Sequence, residues 1–431
     1  MKDWAGHYTS RKCDAAGAVK RVRSGDRIVF SHACGEPWTL PGELMKRAPE
    51  LKDVQIVHMV PMGEALYCRP EYAGSFRHVA LFCGGATREA IWDNRADYIP
   101  YLFSEIPHLF ESILPVDVAM VTVSPPDDKG FCSLGVSVDY TKKAVETAKI
   151  VIAEVTRSMP RTHGDSFVHV SDIDCFVEVD HAIHELKPPV LTDVERNIGK
   201  HVAELIDDGC CLQLGIGGIP DAVLTYLVDF KDLGVHSEMI SDGVMRLVEK
   251  GVITGRKKTV HKGKIIVNFL MGTREFYNWV DDNPIIEMRT SDYTNNPYIV
   301  AQNRNMVAIN SALEVDLLGQ VCADTLGPKQ FSGVGGQLDF VRGARMSQGG
   351  KAVIALPSTT RGLSKISVCL KAGAAVTTSR NDVDYVVTDF GIAALKGKTV
   401  RERMRSLINI AHPDFREELM KAACEVYHVV L

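Results

Sequence analysis

A chain of 431 residues exceeds what one ordinary hydrophobic core organises, so two domains are expected. Apolar residues make up 45% and charged residues 24%, enough for buried sheets beneath a polar surface and too apolar for disorder. The formal charge of -5 comes from 49 basic and 54 acidic residues scattered along the chain, which leaves no basic field to attract nucleic acid or an anionic membrane.

Residues 1–17 carry charges but no apolar segment of signal-peptide length, and nowhere do about 18 uninterrupted apolar residues occur. This excludes a membrane-spanning helix and implies a cytoplasmic protein. A helix followed by Ser24-Gly25-Asp26 leads into a strand over 27–30. Short β-branched runs at 53–60, 116–123 and 149–155 then alternate with amphipathic stretches, and runs at 264–269 and 352–356 continue the rhythm. That alternation predicts α/β domains, and the near-continuous apolar character of the runs predicts largely parallel sheets covered on both faces. Leu186-Lys187-Pro188-Pro189 stops regular structure, and Thr192-Asp193-Val194-Glu195 has the form of a capping box. Val194, Ile198, Val202, Leu205 and Ile206 follow at helical spacing, so the expected domains are 1–188 and 189–431.

Eleven cysteines stand singly apart from Cys210-Cys211, with no Cys-x-x-Cys pair, which disfavours both disulfides and structural zinc. His181 and His184 form at most half of a metal site and lack ligand-spaced partners, so no metal is expected.

The two halves read as diverged copies of one plan. Gly25 and the strand after it match Gly209 and a strand over 210–214. Phe131, Gly135 and Asp139 recur 200 residues later as Phe331, Gly335 and Asp339. Val116-Asp117 is set against Val315-Asp316, and Asp172-Ile173-Asp174 against Asp382-Val383-Asp384. Lys52-Asp53 aligns with Lys231-Asp232, which puts Met59 opposite Glu238, so only the second copy has a carboxylate there.

Three segments of the second half carry chemistry. Gly215-Ile216-Gly217-Gly218-Ile219-Pro220 follows an apolar strand and precedes a helix expected over 222–228. Glycines at such a turn let backbone amides face an anion or a carbonyl oxygen, although a purely structural turn reads the same way. Pro220 stands where a dinucleotide fingerprint needs its third glycine. Next, His236-Ser237-Glu238 ends a β-like run before an expected turn at Asp242-Gly243, where an α/β protein presents ligand-binding groups. Glu238 is the candidate nucleophile. In an extended segment His236 points the same way and could orient it, or could make a structural hydrogen bond. Third, Ser332-Gly333-Val334-Gly335-Gly336-Gln337 is a second glycine-rich turn that could face the same ligand.

Together these segments resemble the acetyl-CoA hydrolase/transferase family, and within it the 4-hydroxybutyrate CoA-transferases. The likeness extends to Ser124-Pro125-Pro126-Asp127, to residues 378–388 with Gly391, and to Ile410-Ala411-His412-Pro413. Thr156 departs from the asparagine often found in relatives. The resemblance implies two similar open α/β domains with mainly parallel or mixed sheets and the active site between them. It implies Glu238 as nucleophile, CoA contacts along Gly215, Ile216, Gly217, Gly218 and Ile219, and further contacts from Asn310, Gly335, Gly336 and Lys365. It also implies acyl-CoA and short-chain carboxylates as partners, CoA as a substrate and not a resident cofactor, and a homodimer or dimer of dimers. His32, Glu36 and Trp38 lie on a loop that could line the acyl pocket. Hydrolysis through the same glutamate, or CoA binding without catalysis, are the competing readings.

Overall fold

The computed structural model describes residues 4–430, which divide into two compact units. One comprises the chain up to Lys187 together with Ile266–Thr294, and the other comprises Pro188–Ile265 and the chain from Asn295 onward. The sequence reading placed a single boundary at 188/189, whereas the chain crosses three times. Residues 266–294 return to the first unit because their backbone completes it. The N–H groups of Val138 and Asp139 donate to Asn268 O (3.0 and 3.1 Å), and Leu270 N–H donates to Val136 O (2.8 Å).

The first unit is built on seven strands: β1 (Arg27–Phe30), β2 (Val54–His58), β3 (Phe76–Ala80), β4 (Ala96–Tyr98), β5 (Val118–Val123), β6 (Ile150–Val155) and β7 (Cys175–Glu178). They lie in the order β7-β6-β5-β1-β2-β3-β4, and every pairing is parallel. Strand β5, inside the sheet between β6 and β1, is buried at all six positions, the reason it reads as an unbroken apolar run. Ile28, Phe30, Ile56, Met120 and Ile152 join one hydrophobic core on this sheet.

Six strands make the sheet of the second unit: β8 (Cys211–Leu214), β9 (Gly234–Val235), β10 (Met306–Ser311), β11 (Lys351–Ala355), β12 (Tyr385–Thr388) and β13 (Gly391–Ala394). Their order is β9-β8-β10-β11-β12-β13, parallel except for the antiparallel edge strand β13. Helix α1 (Asp193–Ala203) starts at Thr192 with both hydrogen bonds of the capping box formed.

Five strands of each sheet share one order, β2-β1-β5-β6-β7 in the first unit and β9-β8-β10-β11-β12 in the second, and small details recur with it. Gly25 N–H donates to Lys52 O at 2.9 Å, and Gly209 N–H donates to Lys231 O at 2.9 Å. Asp53 and Asp232 both adopt a φ of 55°, and Gly135 and Gly335 have φ of 56° and 52°. The Asp174 carboxylate accepts from Val151 N (2.9 Å) at the foot of β6, as Asp384 accepts from Ala352 N (3.2 Å) at the foot of β11. One suggested match fails. Val315 and Asp316 lie on a separate three-stranded sheet, whereas Asp117 caps the entry to β5 and accepts from Arg27 N (2.8 Å).

The cysteine pattern also misled. Cys13 and Cys175 are disulfide-bonded across 162 residues of sequence. What brings them together is a parallel bridge between Lys12 and Phe176, with Phe176 N–H donating to Arg11 O and Cys13 N–H donating to Phe176 O, both at 3.0 Å. Such pairing leaves no spacing signal.

Candidate active site

Strands β9, β8 and β10 are parallel neighbours, so their C-terminal ends lie side by side along one edge of the second unit's sheet. Gly215 to Ile219, Glu238 and Asn310 sit at or just beyond these ends. After β8 the chain turns at Gly215 and Ile216, and at Gly217 it adopts a φ of 105°, which a side chain would resist. Helix α2 (Gly218–Thr225) starts there, four residues before the expected start. Gly218 is needed for space, because a Cβ on it would overlap the Glu195 carboxylate, already engaged in the capping box of α1. In the first turn of α2, Pro220 has no N–H and Asp221 N–H donates to Gly217 O (3.1 Å), so the amides that face the N-terminal end, where an anion is favoured, are those of Gly218 and Ile219.

The segment after β9 is fixed before it reaches the carboxylate. His236 N–H donates to Leu212 O (3.1 Å), and the Ser237 hydroxyl donates to Leu214 O (3.0 Å) while accepting from Leu214 N (3.3 Å). His236 is fully buried, its ring edge-on to Phe340 with centroids 6.3 Å apart. Glu238 is only partly buried, and its Oε2 accepts from Asn295 Nδ2 at 2.8 Å. The expected turn at Asp242-Gly243 is instead the start of helix α3 (Asp242–Glu249).

Helix α4 (Gln337–Met346) brings the second glycine turn to the same place. A Cβ on Gly336 would overlap both Glu238 Oε2 and Asn295 Nδ2, so the backbone there lies directly against the carboxylate. Its φ of -95° suits any residue; glycine is required by proximity, not conformation. Gln337 holds this approach, donating to Ser311 O (2.7 Å) at the end of β10 and accepting from Thr378 Oγ1 (2.9 Å). Asn310, beside Ser311, exchanges amide hydrogen bonds with Gln213 on β8 at 3.0 and 3.4 Å.

Glu238 and Gly336 are thus in direct contact, with Gly335 adjoining. Lys365 is placed elsewhere. Its ammonium donates to Leu313 O and lines a cavity of about 300 Å³ with Arg361 and Lys371. Burial pulls that ammonium below its ordinary pKa, while Glu314 counteracts. On α2, Asp221 is pushed up to about 6 by burial, with the charge of Asp242 adding to the shift.

Sequence reasoning missed Asn295. In Asn295-Asn296-Pro297 the helix cap is Asn296, whose side chain accepts from Tyr298 N, and nothing local distinguishes its neighbour. In the first unit, Glu36 and Trp38 line a cavity of about 520 Å³, whereas His32 is buried against Asp139 (3.2 Å). Glu36 accepts from Met62 N (2.6 Å) and Gly63 N (2.8 Å), and burial pushes its carboxyl up to about 7. Trp38 stacks on His184, ring centroids 4.4 Å apart, and Thr156 Oγ1 donates to His181 O (2.8 Å). Among the described residues no helix is long and apolar enough to cross a membrane, and no His/Cys/Asp/Glu group has the makings of a metal site.

Residues 2–186 match the acetyl-CoA hydrolase/transferase N-terminal domain, and residues 272–423 match the C-terminal domain of the same family. The 4-hydroxybutyrate coenzyme A transferase of Clostridium kluyveri is 57% identical over 421 residues, 97% of this chain and 98% of its own. The chain belongs to the acetyl-CoA hydrolase/transferase family. The crystal structure of 4-hydroxybutyrate CoA-transferase from Porphyromonas gingivalis superposes with a TM-score of 0.85 at 41% identity, covering 98% of this chain and 99% of that one. The acetyl-CoA hydrolase of Kluyveromyces lactis is 33% identical over 209 residues, 48% of this chain and 39% of its own. Near-full-length likeness therefore lies with the CoA-transferases of the family, and the chain is a CoA-transferase.

Proposed function

We propose that this enzyme moves CoA between short-chain acyl-CoA and a free carboxylic acid of the acetate, butyrate and 4-hydroxybutyrate class, through a thioester on Glu238. The observation that carries the reading is the Glu238 carboxylate at a sheet edge, held by Asn295 and lying against the Gly336 backbone.

A carboxylate oxygen of Glu238 attacks the thioester carbonyl carbon, the C–S bond breaks, and CoA leaves as thiolate from a mixed anhydride. The thiolate then attacks the glutamyl carbonyl, releasing the first acid and leaving glutamyl-CoA. An acceptor carboxylate attacks that carbonyl in turn and expels the thiolate. Attack of the thiolate on the acceptor's acyl carbon forms the new acyl-CoA and restores Glu238. Each addition develops an oxyanion, and an N–H aimed at it is worth roughly 3–4 kcal/mol. The amides of the Gly215–Ile219 and Gly335–Gly336 turns are the nearest source by position. The Asn295 donor keeps one carboxylate oxygen oriented so that the other is presented to substrate.

The half-chain extent of the hydrolase match favours transfer over hydrolysis. Incubation with acyl-CoA and mass spectrometry of the Glu238 peptide test the reading. A CoA adduct that Glu238→Ala does not form, with thioester exchange dependent on an added acid, is the expected result. Full exchange by the alanine variant refutes it. The same reading includes a cytoplasmic homo-oligomer, the assembly being open to light scattering.

A further inference from the structure

One buried ammonium of the second unit takes no part in the chemistry described at Glu238. Lys258 is 2% exposed, although a lysine is almost never fully buried unless its charged end is engaged. Its Nζ donates to Val235 O and to Lys264 O, both at 2.8 Å. Val235 is the last residue of β9, three positions before Glu238.

Strand β9 needs such a partner because it lies at the edge of its sheet. Its inner side pairs with β8, Gly234 N–H donating to Cys210 O (2.9 Å) and His236 N–H to Leu212 O (3.1 Å). Peptide groups alternate in direction along a strand, so those of Leu233 and Val235 face away from β8. At Leu233 the chain that follows supplies the outer pairing. Leu233 N–H donates to Val252 O (3.0 Å), and the N–H groups of Thr254 and Gly255 donate to Leu233 O, both at 3.0 Å. Two residues further on, nearer Glu238, the Lys258 side chain takes the Val235 carbonyl in place of a backbone N–H.

Gly234 is matched to this lysine. A Cβ on Gly234 would stand 2.4 Å from Lys258 Cγ and 3.0 Å from Cδ, so the lysine stem crosses the strand where the side chain is missing. Gly234 is not among the positive-φ glycines, and its role is therefore space, the close approach that a glycine within a strand often marks. Ammonium and glycine form one arrangement, and what it fixes is the Val235 carbonyl. With the Ser237 hydroxyl bonded to Leu214 on the inner side, the segment leading into Glu238 is held from both edges.

We propose that Lys258 is a positioning residue for CoA transfer: through the Val235 carbonyl it fixes the segment that presents Glu238 to the thioester. The inference rests on the reading of Glu238 as nucleophile and adds to it a group that acts through the backbone and not on the reacting atoms. A misplacement of about 1 Å at an attacking group can cost on the order of 100-fold in rate. Releasing Val235 should therefore slow attack while leaving CoA binding unchanged.

Two full-length variants test it. Lys258→Met keeps the stem over Gly234 and removes the donor, whereas Gly234→Ala keeps the ammonium and displaces the stem. Each is mixed with acyl-CoA over a range of concentrations and quenched at intervals, and CoA on the Glu238 peptide is followed by mass spectrometry. In both, the saturating rate of labelling should fall about 10- to 100-fold, with the half-saturating concentration unchanged within about twofold and labelling still reaching the wild-type end point. The double variant should be no slower than the slower single one, because both changes release the same carbonyl. A lysine that only stabilises the fold gives a different pattern, a smaller labelled fraction reacting at the wild-type rate. That pattern, or a change confined to the half-saturating concentration, overturns the proposal. If Lys258→Met does not fold, Gly234→Ala decides by the same measurements. Wild-type enzyme that labels Glu238 while the variants keep its rate removes only the role of Lys258. Wild-type enzyme that never labels Glu238 removes the underlying reading and the proposal with it.

Discussion

Gly336→Ala isolates the contact on which the candidate site depends. Alanine is compatible with φ -95° and ψ 7°, so the backbone is not strained by the change. The new methyl group, however, would occupy the space of Glu238 Oε2 and Asn295 Nδ2. Relief requires the glutamate to leave its rotamer, at about 1 kcal/mol, and to give up a charge-assisted hydrogen bond worth roughly 1.5–3 kcal/mol. Together these put the loss at about 2.5–4 kcal/mol, or on the order of 100- to 1,000-fold in the rate of Glu238 thioester formation. Rapid quenching with acyl-CoA followed by mass spectrometry of the Glu238 peptide measures that rate, and a thermal melt reports the fold. An alanine variant that forms the adduct at the wild-type rate, with an unchanged melt, would refute the steric reasoning.

Asn295→Ala removes the donor without adding a group, so adduct formation should fall by less, about 10- to 100-fold, in the same assay. Asp221→Asn should stabilise the protein at pH 7 and not below about pH 4. The folded carboxyl titrates near 6, above its unfolded value, so the wild type loses stability as pH rises between those values, by on the order of 1–2 kcal/mol in denaturant titrations. Glu36→Gln has the same sign, with folded pKa about 7 and the neutral side chain favoured from pH 7 upward, by on the order of 2–3 kcal/mol. A pH-independent difference between variant and wild type in either case would show that the carboxyl is not buried as described.

Local chemistry was legible in the sequence wherever the determining partner lies within a few residues. Thr192 and Glu195 announce the start of α1, the continuous apolar run announces β5, and the glycine turn after β8 announces a backbone that no side chain tolerates. The rest depends on contacts through space. Asn295 reaches a carboxylate 57 positions away, residues 266–294 join the first unit by pairing with residues 136–139, and Cys13 meets Cys175 through a bridge between distant segments. His236 shows the same limit in reverse. Alternation set it on the same side as Glu238, and only its burial and packing against Phe340 reveal that it belongs to the core.

The repeated sheet explains why one copy alone carries the carboxylate. By the offset that matches Gly135 with Gly335, the partner of Gly336 in the first unit is Val136, and by the separate offset that matches Asp53 with Asp232, the partner of Glu238 is Met59. Both first-unit residues are buried, at 1% and 2% exposure. A carboxylate at Met59 would be desolvated with no amide donor assured, at a cost of several kcal/mol for an unpaired buried charge. In the second unit Gly336 contributes no Cβ, and the vacated volume is the space taken by Glu238 Oε2 and Asn295 Nδ2. A single small residue at this turn therefore decides whether the shared scaffold packs as apolar core or presents a paired, partly exposed acid.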